Sequence, residues 1–310
     1  MDRNKVFLTV TLIIVLIICA ISFFAVKKSS KEFQEILKQN NAEPLYNKAE
    51  LLLKTEGKDK AAAAVLSAII NGYPESEYAE KAIKKLINIY IKQHDYEKAE
   101  YYYTYLLENF PETNGTDKMR DDISDINIKI LVSPKIGEDS IEYVVQSGDT
   151  LFAIARRFNT TVALLKKINK IQNDIIRTGQ NLKVVVSKFS VLVDKSDNVL
   201  SLREDGKLFK TYKVSTGKDN STPIGTFKIE EKMIKPIWYK VGAVVSPDSE
   251  EYELGERWLG LSVEGYGIHG TSDENTIGSQ ITQGCVRMYN NDIVELFDII
   301  PSGTEVKIVD

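Results

Sequence analysis

The chain has 310 residues, of which 43% are hydrophobic and 27% charged, and its formal net charge is −4 at pH 7. This length suffices for two or three domains, and the composition is ordinary for folded segments. A general nucleic-acid binder is disfavoured as a class, because the sequence has no basic excess with which to neutralise phosphates.

The first predicted element is a transmembrane helix at residues 6–26. This stretch carries no charge and would extend about 31 Å as a helix, enough to cross the core of a bilayer. Phe23 and Phe24 stand where a signal peptide would have the small residues of its cleavage site. We therefore expect an uncleaved anchor with Cys19 among its apolar residues. The positive charges on its two sides are nearly balanced and do not fix its orientation.

Helical repeats are predicted next. The segments AAVLSAIINGYPESEYAEKA and AEYYYTYLLENFPETNGTDK each end a helical run at a proline, and these prolines, Pro74 and Pro111, are 37 residues apart. Apolar residues recur at three- and four-residue spacing, and a unit of this size must stack on its neighbours to bury its apolar face. The region resembles tetratricopeptide-like repeats, with a final capping helix at 118–130. Its surface is a candidate site for a protein partner.

A small βααβ module is predicted after a linker that contains Pro, Gly and charged residues. Strands at 142–145 and 182–186 would enclose a helix capped by Asp149 and a second helix capped by Thr160 or Thr161. The segment resembles the LysM module over its full length, at Tyr143, Val145, Gly148, Asp149, Thr150, Leu151, Ala155, Asn169, Asp174, Ile176, Gly179, Gln180 and Leu182.

The LysM resemblance implies a groove that binds glycans containing N-acetylglucosamine, between the loops at 147–151 and 173–176. For Asp149, helix capping without any glycan contact is the alternative. The candidate glycan contacts are Gly148, Asp149, Thr150, Asn173 and Ile176.

A mainly β domain is predicted from residue 188 onwards. The segments SVLVD and VLSLREDGKLFKTYKV alternate apolar and polar residues, and the pair Asp205-Gly206 is a strong hairpin signal, because type I′ turns need positive φ. Further strands are predicted at 225–229 and 305–309, and one helix at 291–299.

The predicted fold class is therefore multidomain, with a transmembrane helix, an all-α helical-repeat domain, a small βααβ domain and a mainly β domain. The predicted boundaries are 1–5 for a short tail, 6–26 for the anchor, 27–42 for a stalk, 43–131 for the repeats, 132–140 for a linker, 141–187 for the βααβ module and 188–310 for the mainly β domain.

One short segment contains one of the chain's two histidines and one of its two cysteines. His269 and Cys285 lie sixteen residues apart. A zinc site needs three or four ligands, and this set is incomplete, so no metal and no other cofactor is predicted. A buried histidine beside an inert buried cysteine is a second interpretation.

Three glycines favour a reactive pair instead. Gly267 and Gly270 bracket the histidine and Gly284 precedes the cysteine, and glycines let backbone N–H groups approach a reacting centre. An imidazole next to a thiol can take its proton, and the other ring nitrogen then needs an acceptor, for which the Gly270 carbonyl is a candidate. An unpaired thiol is a liability in an exported domain, so its presence also favours a reactive role for Cys285.

Four segments of the domain, in order, resemble the YkuD-type L,D-transpeptidase domain: STPIGTFKI, LGLSVEGYGIHGT, IGSQITQGCVRM and PSGTEVKI. The family pattern is His-Gly, a spacer, and Ser/Thr-x-Gly-Cys-x-Arg. Gln283 departs from many members, which have histidine there. The pattern is matched by His269, Gly270, Thr282, Gly284, Cys285 and Arg287.

This resemblance implies that Cys285 is the acyl-accepting nucleophile and His269 the general base, oriented by the Gly270 carbonyl. It also implies further residues around the donor substrate and the oxyanion. Tyr266 would form a wall of the site rather than act as an acid. For Arg287, an ion pair that holds the fold is the alternative to a role in the donor site. These further candidates are Gly284, Thr282, Arg287 and Tyr266.

The implied reaction is acyl transfer on peptidoglycan stem peptides. Cys285 would attack the bond between the third stem residue and D-alanine, and an amine of another stem would resolve the thioester into a 3-3 cross-link. Water as acceptor would make the same site an L,D-carboxypeptidase, and an idle wall-binding scaffold is a third hypothesis. Peptidoglycan is then the expected partner. The expected location is the bacterial cell membrane, with the N-terminus in the cytoplasm and the C-terminal domains facing the wall.

Overall fold

The computed structural model describes residues 41–110, 116–240 and 242–310. The predicted anchor, the tail before it and nearly all of the predicted stalk lie outside these ranges. Within them, every helix is too short or too polar to span a bilayer. The chain divides into two units, residues 1–114 and 115–310, which are described separately.

The first unit is helical over its described part. Each helix packs against the next, and apolar side chains at three- and four-residue spacing, such as Leu66, Ile69 and Ile70, are buried between them. These contacts fit a helical N-terminal region, and the tetratricopeptide-like assignment stays a prediction. The helices are α1 (Glu43–Leu53), α2 (Asp59–Gly72), α3 (Glu77–Lys92) and α4 (Tyr96–Asn109).

Helix α5 (Thr116–Val132) belongs to the second unit, so the prediction that residues 118–130 cap the repeats is wrong. Leu131 is 1% exposed and lies in the same apolar cluster as the strands of the C-terminal domain. The Asn127 amide donates to the Phe209 carbonyl at 2.8 Å. The apolar face of this helix is thus buried against the sheet of the C-terminal domain, and an amphipathic pattern alone does not identify the surface that covers it.

The predicted βααβ module is present. Strands β1 (Ser140–Val144) and β2 (Asn181–Val185) pair antiparallel and enclose helices α6 (Leu151–Arg157) and α7 (Val162–Ile168). Of the two candidates for the second cap, it is Thr161 that accepts from the Leu164 N–H, at 2.9 Å.

The predicted cap of the first helix of this module is wrong. Thr150 Oγ1 accepts from the Ala153 N–H at 3.1 Å, because the extended Thr150 is the residue directly before the helix. Asp149 lies one residue too early. Its carboxylate instead accepts from the Gln146 N–H at 2.7 Å and from the Tyr143 hydroxyl at 2.6 Å.

The βααβ module shares its core with the C-terminal domain. Leu164, Ile168 and Val185 are buried in the cluster that also contains the residues of the large sheet. The Thr161 hydroxyl donates to the Asp298 carbonyl. The Lys183 ammonium donates to the Leu131 carbonyl in the last turn of α5 and to the Ser133 carbonyl just after it, where a cation interacts favourably with the helix C-terminus. Module, helix and sheet therefore form one folded body.

We predict that Leu131→Ala lowers the free energy of unfolding of this body by about 3 kcal/mol, because it removes buried apolar contacts and leaves a cavity. Urea unfolding followed by tryptophan fluorescence measures this, since both tryptophans of the chain, Trp238 and Trp258, lie in the second unit. The matched control is Leu208→Ala at a half-exposed leucine. Equal losses in the two variants would show that α5 is not part of the core.

The C-terminal domain is mainly β, as predicted. Within the described residues its sheet has nine strands, which are β3 (Phe189–Asp194), β4 (Val199–Glu204), β5 (Lys207–Gly217), β6 (Gly225–Ile234), β9 (Arg257–Leu261), β10 (Gly267–His269), β11 (Gln280–Thr282), β12 (Val286–Met288) and β13 (Glu305–Val309). They join in the order β11-β5-β12-β10-β9-β6-β13-β3-β4, and β4 also pairs with β5, so that the order from β5 to β4 closes on itself. Helix α8 (Asn290–Ile299) packs against this sheet.

Two further features complete this domain. Asp205 and Gly206 both have positive φ between β4 and β5, as the predicted type I′ turn requires. A separate short hairpin of β7 (Trp238–Lys240) and β8 (Ala243–Val245) precedes β9. Val245 of this hairpin packs in a small apolar cluster against Trp258 of β9.

Candidate active site

The sheet brings the scarce histidine and cysteine together. Strands β10 and β12 are parallel neighbours, with Ile268 paired to Val286 and His269 paired to Arg287. Side chains alternate between the two faces of a strand. Ile268 and Val286 are buried in the core, so His269 and Arg287 are on the opposite face, and Cys285 directly precedes β12.

Cys285 lies directly before β12 and is partly exposed. Its Sγ is 3.8 Å from the Gly265 carbonyl oxygen. Burial raises the pKa of the Cys285 thiol and outweighs the backbone hydrogen bond from Gly267 and the positive charge of Arg287, both of which lower it. The resting form at neutral pH is therefore the protonated thiol.

The imidazole of His269 is only 4% exposed. Its Nδ1 lies 2.7 Å from the Gly270 carbonyl oxygen, which can only accept, so we assign the ring proton to Nδ1 and leave Nε2 as the acceptor. The Trp258 ring stacks on the imidazole, with centroids 5.9 Å apart.

The charge state of His269 follows from this burial. Burial, assisted by the positive charge of Arg287, lowers the pKa of His269 to about 4, although the hydrogen bond to Gly270 acts in the opposite direction. The histidine is therefore neutral at pH 7. Among the described residues, the hydrogen bond of the Cys285 thiol goes to Gly265 and not to the imidazole. Catalytic hydrogen bonds often close only when substrate is bound.

The turn before the cysteine is held by Thr282. The Thr282 hydroxyl donates to the Cys285 carbonyl at 2.6 Å and accepts from the Gly284 N–H at 3.2 Å. Gly284 has φ of +130°, and a methyl group there would lie 2.6 Å from Cε1 of Tyr266. The close approach of the Tyr266 ring therefore requires a glycine, and that ring forms a wall beside the turn.

Two of the residues suggested by the resemblance are thus engaged inside this turn. The N–H of Gly284, expected near the oxyanion, already has Thr282 Oγ1 as its acceptor. The hydroxyl of Thr282, expected to shape the donor site, is used in two backbone contacts. The geometry gives both residues a part in holding the Cys285 backbone.

We predict that Thr282→Val, which removes the hydroxyl at nearly constant volume, lowers the free energy of unfolding by about 1.5 kcal/mol and turnover by more than about tenfold, because the Cys285 backbone loses its support. Thr304→Val is the matched control, since that buried hydroxyl also donates to a backbone carbonyl, at 2.7 Å, but far along the chain. We expect similar stability losses in the two variants and reduced turnover only in Thr282→Val. Equal turnover in both variants would contradict the role of Thr282.

Arg287 is held by an ion pair. Its Nη2 lies 2.9 Å from Glu253 Oε2, its Nη1 donates to Thr276 Oγ1 at 3.2 Å, and the side chain is 12% exposed. This is the fold-holding alternative to a role in the donor site. Its charge nevertheless acts on the site, since it lowers the pKa of both His269 and Cys285.

Sequence reasoning missed Glu253, Trp258 and Gly265. Trp258 reaches His269 because β9 pairs with β10 in a register that places these two residues opposite each other. Glu253 and Gly265 lie in connecting segments. Only the glycine-rich run from Gly265 to Gly270 gave a local signal.

The candidate glycan residues lie in two segments of the βααβ module. Gly148, with φ of +88°, precedes α6 together with Asp149 and Thr150. Asn173 accepts from the Ile175 N–H at 3.1 Å, in the segment between α7 and β2. Ile176 of the same segment packs on the core of the module. Their glycan contacts remain a prediction.

Comparison with known proteins identifies both C-terminal parts of the chain. Residues 143–185 match the LysM domain, and residues 188–308 match the L,D-transpeptidase catalytic domain named YkuD. The protein named L,D-transpeptidase YqjB of Bacillus subtilis (strain 168) is 40% identical over 126 residues, which are 39% of this chain and 70% of the relative. The one named L,D-transpeptidase YkuD of the same organism is 32% identical over 175 residues, which are 54% of this chain and 98% of the relative.

A solved structure also overlaps with the chain. It is an L,D-transpeptidase from Mycobacterium smegmatis, 17% identical, covering 43% of this chain and 64% of that chain with a TM-score of 0.35. A TM-score of this size supports no conclusion beyond those drawn from the sequence relatives.

Proposed function

Because the chain belongs to the YkuD family of L,D-transpeptidases, we propose that it forms 3-3 cross-links in peptidoglycan through a thioester at Cys285. One observation carries the proposal. Strand β10 ends at His269 and its parallel neighbour β12 begins directly after Cys285, and the Gly270 carbonyl holds the Nδ1 of the histidine. The remaining ring nitrogen, Nε2, is then the base.

Acylation begins from a neutral pair. As the carbonyl carbon of the third stem residue approaches, the thiol proton passes to His269 Nε2 and the sulfur attacks. A tetrahedral intermediate forms, and its negative charge stabilises the new imidazolium and would be stabilised by backbone N–H groups near Cys285 other than that of Gly284. The imidazolium then protonates the leaving amine of D-alanine, and the thioester remains on Cys285.

Deacylation repeats these steps in reverse order. The side-chain amine of a second stem attacks the thioester carbonyl, and His269 Nε2 takes the proton that the amine loses. The sulfur leaves as thiolate and regains its proton from the imidazolium. An amide bond has replaced the one that was cleaved, which is why the reaction needs no external energy source or cofactor.

The shifted pKa values of His269 and Cys285 in the resting enzyme suit this order of proton transfers. The buried imidazole resists protonation in the free enzyme, so Nε2 is available as a base at pH 7. Its protonation becomes favourable only when negative charge develops on the bound substrate. The partly exposed thiol stays protonated until then, which protects it from oxidation outside the cell.

The rest of the chain would deliver this site to its substrate. In the proposal, residues 6–26 anchor the chain in the cell membrane, and residues 1–5 stay in the cytoplasm, because peptidoglycan lies on the other side. The LysM domain would bind glycan strands near the stem peptides. The helical repeats would bind a protein partner.

The test is incubation of the full chain in detergent with muropeptides that carry tetrapeptide stems, followed by mass spectrometry. D-Alanine together with cross-linked dimers is the expected result. Tripeptide stems alone would support the carboxypeptidase, and unchanged muropeptides with an unreactive Cys285 thiol would support the idle scaffold. Muropeptides that already lack D-alanine are the control, and they should give no dimers.

A further inference from the structure

The side chain of Asn290, the first residue of α8, lies between two backbone segments next to the candidate base. Its Oδ1 accepts from the Glu256 N–H at 3.0 Å and from the Thr271 N–H at 3.2 Å. Its Nδ2 donates to the Thr271 carbonyl at 2.7 Å. Only this orientation of the amide is compatible with two donors on one side and an acceptor on the other.

Glycines make room for this amide. A methyl group at Gly255 would lie 2.3 Å from Asn290 Oδ1, and one at Gly270 would lie 2.2 Å from it. Such distances are impossible for real atoms, so both positions must be glycine for the amide to reach the backbone. The glycine after His269 therefore serves Asn290 as well as the histidine.

The hydrogen bonds form a chain that ends on the imidazole. The Gly270 carbonyl and the Thr271 N–H are the two ends of one peptide group. The carbonyl accepts from His269 Nδ1 at 2.7 Å, and the N–H donates to Asn290 Oδ1 at 3.2 Å. This peptide cannot rotate without breaking both bonds, and linked hydrogen bonds of this kind polarise one another.

We propose that Asn290 is a positioning residue that acts through the Gly270–Thr271 peptide to keep His269 in the Nδ1–H tautomer, with Nε2 directed at the thiol. The inference rests on the proposed function only for its effect on turnover. The amide fits the task because it accepts from the peptide N–H and donates to the next carbonyl while adding no charge.

A purely structural role is the alternative, and the chain offers a matched control for it. Asn169 of the LysM domain also makes three backbone hydrogen bonds. Its Nδ2 donates to the Leu165 and Lys183 carbonyls at 2.9 and 2.8 Å, and its Oδ1 accepts from the Lys183 N–H at 2.8 Å. Both asparagines are partly buried. Their alanine variants therefore remove the same number of bonds, near to and far from the histidine.

The test compares the full chain with Asn290→Ala, Asn290→Asp and Asn169→Ala. Nitrogen-15 NMR of the imidazoles gives the tautomer directly, and because the chain has only two histidines, the exposed His94 is an internal reference. At pH 7 we expect wild type and N169A to show His269 as Nδ1–H, and N290A to gain an Nε2–H population. Turnover of N290A should fall by about 100-fold, through kcat rather than KM.

An unchanged His269 tautomer in folded N290A, or an equal loss of turnover in N290A and N169A, would overturn the proposal. If N290A does not fold, the pKa of His269 in N290D is the deciding measurement. Its carboxylate keeps the acceptor toward Thr271 and adds negative charge to the chain of bonds, so the pKa of His269 should rise, and an unshifted pKa would overturn the proposal. The NMR readout needs no turnover. If the wild-type chain has no turnover but N290A still gains the Nε2–H population of His269, the proposed function is refuted and the positioning role of Asn290 stands.

Discussion

Cys285→Ser is expected to lower the release of D-alanine by at least about a thousandfold and to abolish the covalent intermediate, since loss of an enzyme nucleophile has effects of this size or larger. A hydroxyl is far harder to deprotonate than a thiol. The neutral His269, whose pKa lies near 4, is too weak a base to generate an alkoxide. Timed assays with tetrapeptide muropeptides measure the loss.

The same substitution should leave the fold unchanged. Serine is slightly smaller than cysteine, and position 285 is partly exposed, so the unfolding midpoint should stay within error of wild type. The second cysteine of the chain provides the control, as Cys19→Ser is expected to retain full turnover. Wild-type turnover in C285S would show that the sulfur is not the nucleophile.

His269→Gln is expected to make the folded state less sensitive to acid. An unperturbed histidine titrates near pH 6.5, whereas the pKa of the buried His269 is about 4. Between these two pH values the unfolded chain binds a proton that the folded chain does not. The folded state therefore loses stability as the pH falls from about 6.5 to 4, by about 3 kcal/mol in total.

Urea unfolding of both proteins at several pH values between 7.5 and 4 measures this contribution. The difference in unfolding free energy between wild type and H269Q should shrink by about 3 kcal/mol over that window, while carboxylate effects cancel. His94→Gln, which removes the exposed imidazole of the chain's other histidine, is the control for the substitution itself. A constant difference between wild type and H269Q would mean that the histidine is not buried as a neutral base.

H269Q should also lose turnover, because the glutamine amide has no basic nitrogen that can take the thiol proton. We expect a loss comparable to that of C285S, and the double variant should be no worse than either single one, as for residues that act as a unit. Additive losses would place the two side chains in separate steps.

The sequence predicted the site because its chemistry is concentrated in one segment. His269 and Cys285 are scarce residue types, flanked by glycines, and the period-two pattern placed them in a β domain. Their juxtaposition depends on the parallel pairing of β10 with β12. A sequence of alternating residues does not fix which strands become neighbours.

Three of the features that sequence analysis missed are non-local. Trp258, Glu253 and Asn290 reach the site only through the order of strands and the packing of α8. The wrong capping helix has the same cause, since the apolar face of α5 does not identify the sheet that buries it. The error at Asp149 has a local cause, because a cap is set by the one residue that stays extended just before the helix, here Thr150.

The most direct test of the central claim is intact-protein mass spectrometry of the wild-type chain mixed with a tetrapeptide-stem donor and no acceptor. We predict a mass increase equal to the donor minus D-alanine, located by peptide mapping on Cys285, and reversed by added amine acceptor with formation of the cross-linked product. An adduct on any other residue, or release of D-alanine without a thioester at Cys285, would contradict the account.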